Sequence, residues 1–140
     1  MSQMSIIRPA AALFILTALV LVYMYGRRLY FMFSHEVEPQ SVSTPELLSE
    51  RLPAAINNSS NNLKNLFELP VIFYALCAYL FVTHQVDAVY VYAAWIFVCL
   101  RTLHSLVHCT INIVKVRFTF YMLSTLALLF MIARFSIAIF

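Results

Sequence analysis

Asn58, Asn61, Asn65 and Glu68 recur at intervals of three, four and three residues. That spacing lines them along one face of a helix. Arg101, His104, His108 and Asn112 recur at three, four and four, which makes a second polar face. Both stripes adjoin long apolar runs. An ionisable group at membrane depth costs roughly 3 kcal/mol by insertion scales and faces a bundle interior or a water-filled site. These residues are therefore the first candidates for chemistry. Lys64 and Glu68 are four apart, a spacing at which they can pair. Arg117 and Tyr121, also four apart, open the last apolar segment.

Depth brings the two faces together. A helix entering the membrane near Asn57 carries Glu68 roughly 16 Å inward at 1.5 Å per residue. A helix leaving near Val114 holds Arg101 and His104 at about the same level, with Lys64 and His108 one level nearer the surface. The spacing predicts one recess in which Lys64, Arg101, Arg117 and Arg28 surround a single carboxylate, Glu68. A surplus of cations suits an anionic, polar ligand. Plainer readings stand beside this one. Glu68 and Arg101 could form a pair that only specifies helix packing. Asn61, Asn62 and Asn65 could be interhelical hydrogen-bond glue. His104 and His108 at i, i+4 could bind a metal with Glu68, but Arg101 and Lys64 would repel a cation, so no metal is expected. Cys109 reads as an inert membrane cysteine.

The rest of the chain must position these groups. Of its 140 residues, 63% are hydrophobic and 11% charged, against about a quarter charged in a soluble domain. A chain this short cannot hide that much apolar surface in its own core, so the solvent must be a bilayer. The expected fold is an all-α membrane protein, a four-transmembrane-helix bundle in one domain over 1–140. Its spans fall at about 5–33, 58–83, 88–114 and 118–138, with a polar loop at 34–57. Within that loop, Thr44-Pro45-Glu46 reads as a helix start and Arg51 as its end. Pro70 is expected to kink the second span. Short turns at 84–87 and 115–117 make neighbouring spans antiparallel. Arg27, Arg28, Arg51, Lys115 and Arg117 fall on one side, which the positive-inside rule places in the cytoplasm with both termini opposite. Arg134 and Trp95 read as ordinary lipid-facing or packing residues. The single glycine, Gly26, excludes the P-loop and the dinucleotide fingerprint. Three cysteines define no disulfide framework. A net charge of +3 without a basic block does not suggest nucleic acid.

Glu50-Arg51, then Asn65-Leu-Phe-Glu68-Leu-Pro70, Arg101-Thr-Leu-His104, and Arg117 with Tyr121 resemble the MAPEG family, the membrane-associated proteins in eicosanoid and glutathione metabolism. The resemblance covers essentially the whole chain. It implies a homotrimer with glutathione held between subunits in the cytoplasmic half. The second substrate would be a lipophilic small molecule reaching the site from the lipid. Carried over residue by residue, Asn65 and Glu68 match residues that hold the ends of glutathione, with Lys64 where an arginine is usual. His104 and Arg101 match residues of the third span, and Arg28 a residue of the first. Arg117 and Tyr121 match the arginine and tyrosine at the thiol, the implied catalytic pair. Asn61 stands where a relative has arginine, His108 replaces a tyrosine ligand, and Phe118 replaces a serine beside the arginine. The resemblance implies a glutathione transferase or peroxidase. The alternative is a non-catalytic membrane protein of the same fold that uses its polar stripes for assembly or for anionic ligands.

Overall fold

The computed structural model describes residues 2–140. After a 3₁₀ turn at Gln3–Ile6, six helices follow in chain order. They are α1 (Ile7–Ser34), α2 (Pro45–Arg51), α3 (Ala54–Leu66), α4 (Leu69–Val82), α5 (Ala88–Cys109) and α6 (Val114–Ile139). Four segments are long and apolar enough to cross a membrane: Gln3–Ser34, Ala54–Val82, Ala88–Cys109 and Val114–Ile139. The chain is a four-helix membrane bundle, with α3 and α4 forming two halves of one span.

The break between those halves follows from local chemistry. Pro70 has no N–H to give the carbonyl of Leu66, so the helical ladder cannot run through. The chain turns at Glu68 (φ −95°, ψ −99°), and the Phe67 N–H tightens onto the Lys64 carbonyl at 2.9 Å. The span is interrupted at Phe67–Glu68, and Glu68 stands at the break on an exposed corner.

Two of the helices, α2 and α5, start on side-chain caps. Thr44 accepts from the Leu47 N–H at 3.3 Å, with Pro45 in the first turn of α2. Asp87 accepts from the Tyr90 N–H at 3.0 Å to cap α5. Each satisfies a donor that the helix itself leaves unpaired.

The turn between α5 and α6 lies earlier than the sequence suggested. Helix α5 ends at Cys109 and α6 begins at Val114, so Lys115 and Arg117 lie in the first turns of α6 and not in a loop. Asn112 adopts φ 48°, a left-handed conformation that asparagine tolerates better than most residues. Its N–H closes onto the Val107 carbonyl at 2.7 Å. Asn112 therefore does not continue the helical stripe of α5.

The core runs through the middle of the bundle. Leu13 of α1, Phe73 and Leu80 of α4, Ala94 and Phe97 of α5, and Leu128 and Met131 of α6 are all essentially inaccessible. Phe73 and Phe97 stack at 4.6 Å between ring centroids. Half of the most apolar stretch of α5 is buried against only 17% of that of α6, so α5 is the central helix and α6 an outer one. Exposed apolar side chains such as Phe14, Val22 and Ile137 cover the outside, as a lipid solvent permits.

Arg134 is not a plain lipid-facing residue. It bonds the Asp87 carboxylate twice, at 2.8 and 2.5 Å, and lies 4.3 Å over the Tyr90 ring. The last turns of α6 reach the start of α5, and this clasp joins them at the end of the bundle opposite the polar stripes. The hydrogen bonds from Arg134 hold the Asp87 carboxyl down at about 2, against an ordinary 3.8.

Candidate functional site

Three elements converge on a recess of about 490 Å³. From α3 and the break below it come Asn61, Lys64, Asn65 and Glu68. From α5 come His104 and His108. From α6 come Arg117 and Tyr121, with Val114 and Phe118 on the same wall. The helical periods explain the convergence. Residues three and four apart stack on one face, and the antiparallel run from α5 into α6 brings the start of α6 beside the end of α5.

Two expected residues lie outside this recess. Arg28 lines an adjoining recess of about 410 Å³ with Glu46, Ser49, Asn57 and Ser60, and donates to the Ser60 Oγ at 2.8 Å. The two recesses share Asn61 and Lys64. Arg101 is wholly buried behind the recess wall. Its Nη2 donates to the Asn65 carbonyl at 2.6 Å, while its Nε and Nη1 have no partner.

The ion pairs suggested by the spacing do not form. Among the described residues the one pair within 4.0 Å is Arg134–Asp87. Neither Lys64 nor Arg101 reaches Glu68. Glu68 leaves the helical face at the break, and Tyr121 occupies the space between it and Arg101. The Tyr121 hydroxyl donates to Glu68 Oε2 at 3.3 Å, and the Arg101 guanidinium lies 4.8 Å over the Tyr121 ring. A cation on the ring face is attracted by its quadrupole, so the phenol couples the two charges that the spacing would have paired directly.

The hydrogen-bond network assigns the imidazoles their roles. His104 donates from Nδ1 to the Arg117 carbonyl at 2.8 Å, which leaves Nε2 to accept from the Asn65 amide at 3.4 Å. His108 Nε2 accepts from Arg117 Nη1 at 2.8 Å. The same Nη1 donates to Asn112 Oδ1 at 2.7 Å, and Asn112 Nδ2 donates to Asn58 Oδ1 at 3.1 Å. Asn112 thus rejoins the polar cluster from the turn and ties α3 to α6 through Arg117. No group of three His, Cys, Asp or Glu residues able to hold a metal occurs among the described residues.

A second polar layer lies behind the recess, built on Asn62, one of the asparagines read from the sequence as interhelical glue. Asn62 is fully buried; it donates to Cys109 Sγ at 3.4 Å and accepts from Ser105 Oγ at 3.2 Å. These bonds lock α3 to α5 behind the recess. The clue was the unbroken polar run Asn57–Asn62, too long for one helical face. Some of it had to turn inward.

The fold and recess define a four-helix membrane protein with a charged pocket toward one end of its bundle. A family model for the MAPEG family matches residues 6–137, and the chain belongs to that family. No curated protein and no solved structure matches it significantly.

Proposed function

We propose that the recess binds glutathione and that the protein is a glutathione-dependent transferase or peroxidase acting on lipophilic electrophiles. The observation that carries this reading is the placement of both charge signs in one pocket: Lys64 and Arg117 against Glu68. That set fits a peptide bearing an ammonium group and two carboxylates. Glu68 would take the ammonium group. Lys64 would take a carboxylate, and Asn61 and Asn65 would supply neutral hydrogen bonds. When bound, glutathione supplies a thiol whose thiolate form is the nucleophile. Arg117 favours that form by its charge, because a neighbouring cation lowers a thiol pKa from about 8.5. The Tyr121 hydroxyl holds a proton that it can donate at its oxygen. Arg101 acts through Tyr121, fixing the ring from below.

The bundle assembles as a homotrimer in this reading. The end that carries Arg27, Arg28, Lys64, Lys115 and Arg117 faces the cytoplasm, in keeping with the positive-inside bias. The test is calorimetric titration of detergent-purified protein with glutathione, beside Arg117→Ala and Glu68→Gln. Saturable binding weakened by both substitutions is expected. Absence of binding at millimolar glutathione ends the proposal.

A second reading has its own support. The Arg117 Nη1 is committed to His108 and Asn112, and Phe118 lines the recess with an apolar ring where the family resemblance expects a serine. A protein of this fold that binds an anionic ligand without transforming it fits those two facts. Binding without turnover of any electrophile would favour it.

A further inference from the structure

A groove between α1 and α5 shares no residue with the polar recess. Leu16, Leu19 and Val20 of α1 and Leu106 of α5 form its walls, and Tyr23 and Thr110 stand at one end. Its volume is about 280 Å³. Leu19 is 64% and Leu106 56% exposed, so the groove opens sideways, where a membrane-spanning surface meets lipid.

Its end is charged. Arg27 donates to the Tyr23 hydroxyl at 2.8 Å, with the guanidinium 5.5 Å from the ring centroid. Arg27 also donates to the Ala55 carbonyl at 3.3 Å. No carboxylate compensates it, because the ion pair found among the described residues lies at Arg134. The other polar groups at this end are spent. Thr110 Oγ1 donates to the Leu106 carbonyl at 2.6 Å, and Cys109 Sγ accepts from Asn62. From Leu16 to Arg27 the α1 face runs roughly 16 Å at 1.5 Å per residue.

We propose that this groove is a binding site for an anionic phospholipid, with the lipid phosphate on Arg27 and one acyl chain lying along Leu16, Val20 and Leu106. The two halves of the site match the two halves of that ligand. An apolar channel runs along the spanning helices, and a cation with no carboxylate partner, Arg27, stands just beyond its Tyr23 end. Basic side chains between membrane helices recognise anionic headgroups. A zwitterionic lipid would fill the channel equally well but would leave the charge of Arg27 uncompensated.

The experiment is native mass spectrometry of the detergent-purified chain with equimolar dioleoyl phosphatidylglycerol and dioleoyl phosphatidylcholine. The expected result is about fivefold preferential retention of phosphatidylglycerol, the equivalent of the ~1 kcal/mol that one basic side chain contributes at an anionic surface. Arg27→Gln should bring the two lipids to parity. Lys115→Gln, which removes an exposed cation outside the groove, should leave the preference unchanged. Leu106→Trp, which fills the channel, should lower retention of both lipids. If that variant fails to fold, Arg27→Gln decides alone, because its side chain is partly exposed and outside the core. Retained preference in Arg27→Gln, or equal loss in Lys115→Gln, overturns the proposal. So does efficient cross-linking of two copies through Leu106→Cys, which would make a second chain the occupant.

Discussion

Replacing Asn112 with glycine deletes a side chain that joins α3 to α6 and leaves a residue suited to φ 48°. Two hydrogen bonds are lost: Arg117 to Asn112 at 2.7 Å and Asn112 to Asn58 at 3.1 Å. The first is charge-assisted, worth about 1.5–3 kcal/mol in a soluble protein, and the second about 1 kcal/mol. Within membranes such bonds average only about 0.6 kcal/mol, because the unfolded chain also finds partners. The cluster lies near the end of the bundle, between those regimes, so the expected loss is about 2 kcal/mol in the equilibrium unfolding of detergent-solubilised protein. Asn112→Ala should lose about 1 kcal/mol more, because alanine resists the left-handed backbone. The ordering matters as much as the size. Wild type should exceed glycine, and glycine should exceed alanine. The glycine variant should also weaken the proposed glutathione binding, because Arg117 then keeps His108 alone as a side-chain anchor. Equal stability of all three proteins would refute the bridging role of Asn112. Alanine equal to glycine would refute the backbone argument.

Asp87→Asn tests the clasp at the other end. The Asp87 carboxyl is held at about 2 by Arg134, so its contribution is complete above its ordinary pKa near 4 and disappears as pH falls toward 2. Both side chains are more than a third exposed, which screens the pair to no more than about 1 kcal/mol. The wild-type thermal midpoint should fall between pH 4 and pH 2 by an amount that Asp87→Asn does not show; parallel profiles would contradict this. Tyr121→Phe removes the bond to Glu68 but keeps the ring over Arg101. It should leave the melting midpoint nearly unchanged while lowering any glutathione-dependent turnover, and unchanged turnover would remove Tyr121 from the chemistry. Arg101→Met replaces a buried cation with two unpartnered nitrogens. It also removes the bond to the Asn65 carbonyl and the contact over the Tyr121 ring. A buried acceptor left unpaired costs about 1–3 kcal/mol, so a loss of about that size is expected in equilibrium unfolding, and unchanged or raised stability would contradict those contacts.

The polar stripes were legible because helical periods survive any bundle geometry. Asn61, Lys64, Asn65, Glu68, His104, His108, Arg117 and Tyr121 all reach the recess, although their spacing fixed neither depth nor partner. Pro70 marked the irregularity of the second span, but the break fell at Phe67–Glu68. That displacement sent Glu68 away from the direct pair with Arg101. The α5–α6 turn was hidden because no glycine or proline marks it. Asn112 supplies the left-handed residue instead, and it also fits a helical repeat. The Asp87–Arg134 clasp was out of reach, since residues 47 apart meet only once the helices pack. Arg28 illustrates a different limit: its type suggested the main recess, but Ser60 draws its guanidinium into the neighbouring one.

The proposed chemistry requires Arg117 to act on a thiol bound in the shared recess. The most direct measurement is the ultraviolet difference spectrum of purified protein with saturating glutathione at pH 7. A thiolate band in the wild type that vanishes in Arg117→Ala is the predicted result. Full occupancy by calorimetry without any thiolate band would contradict it.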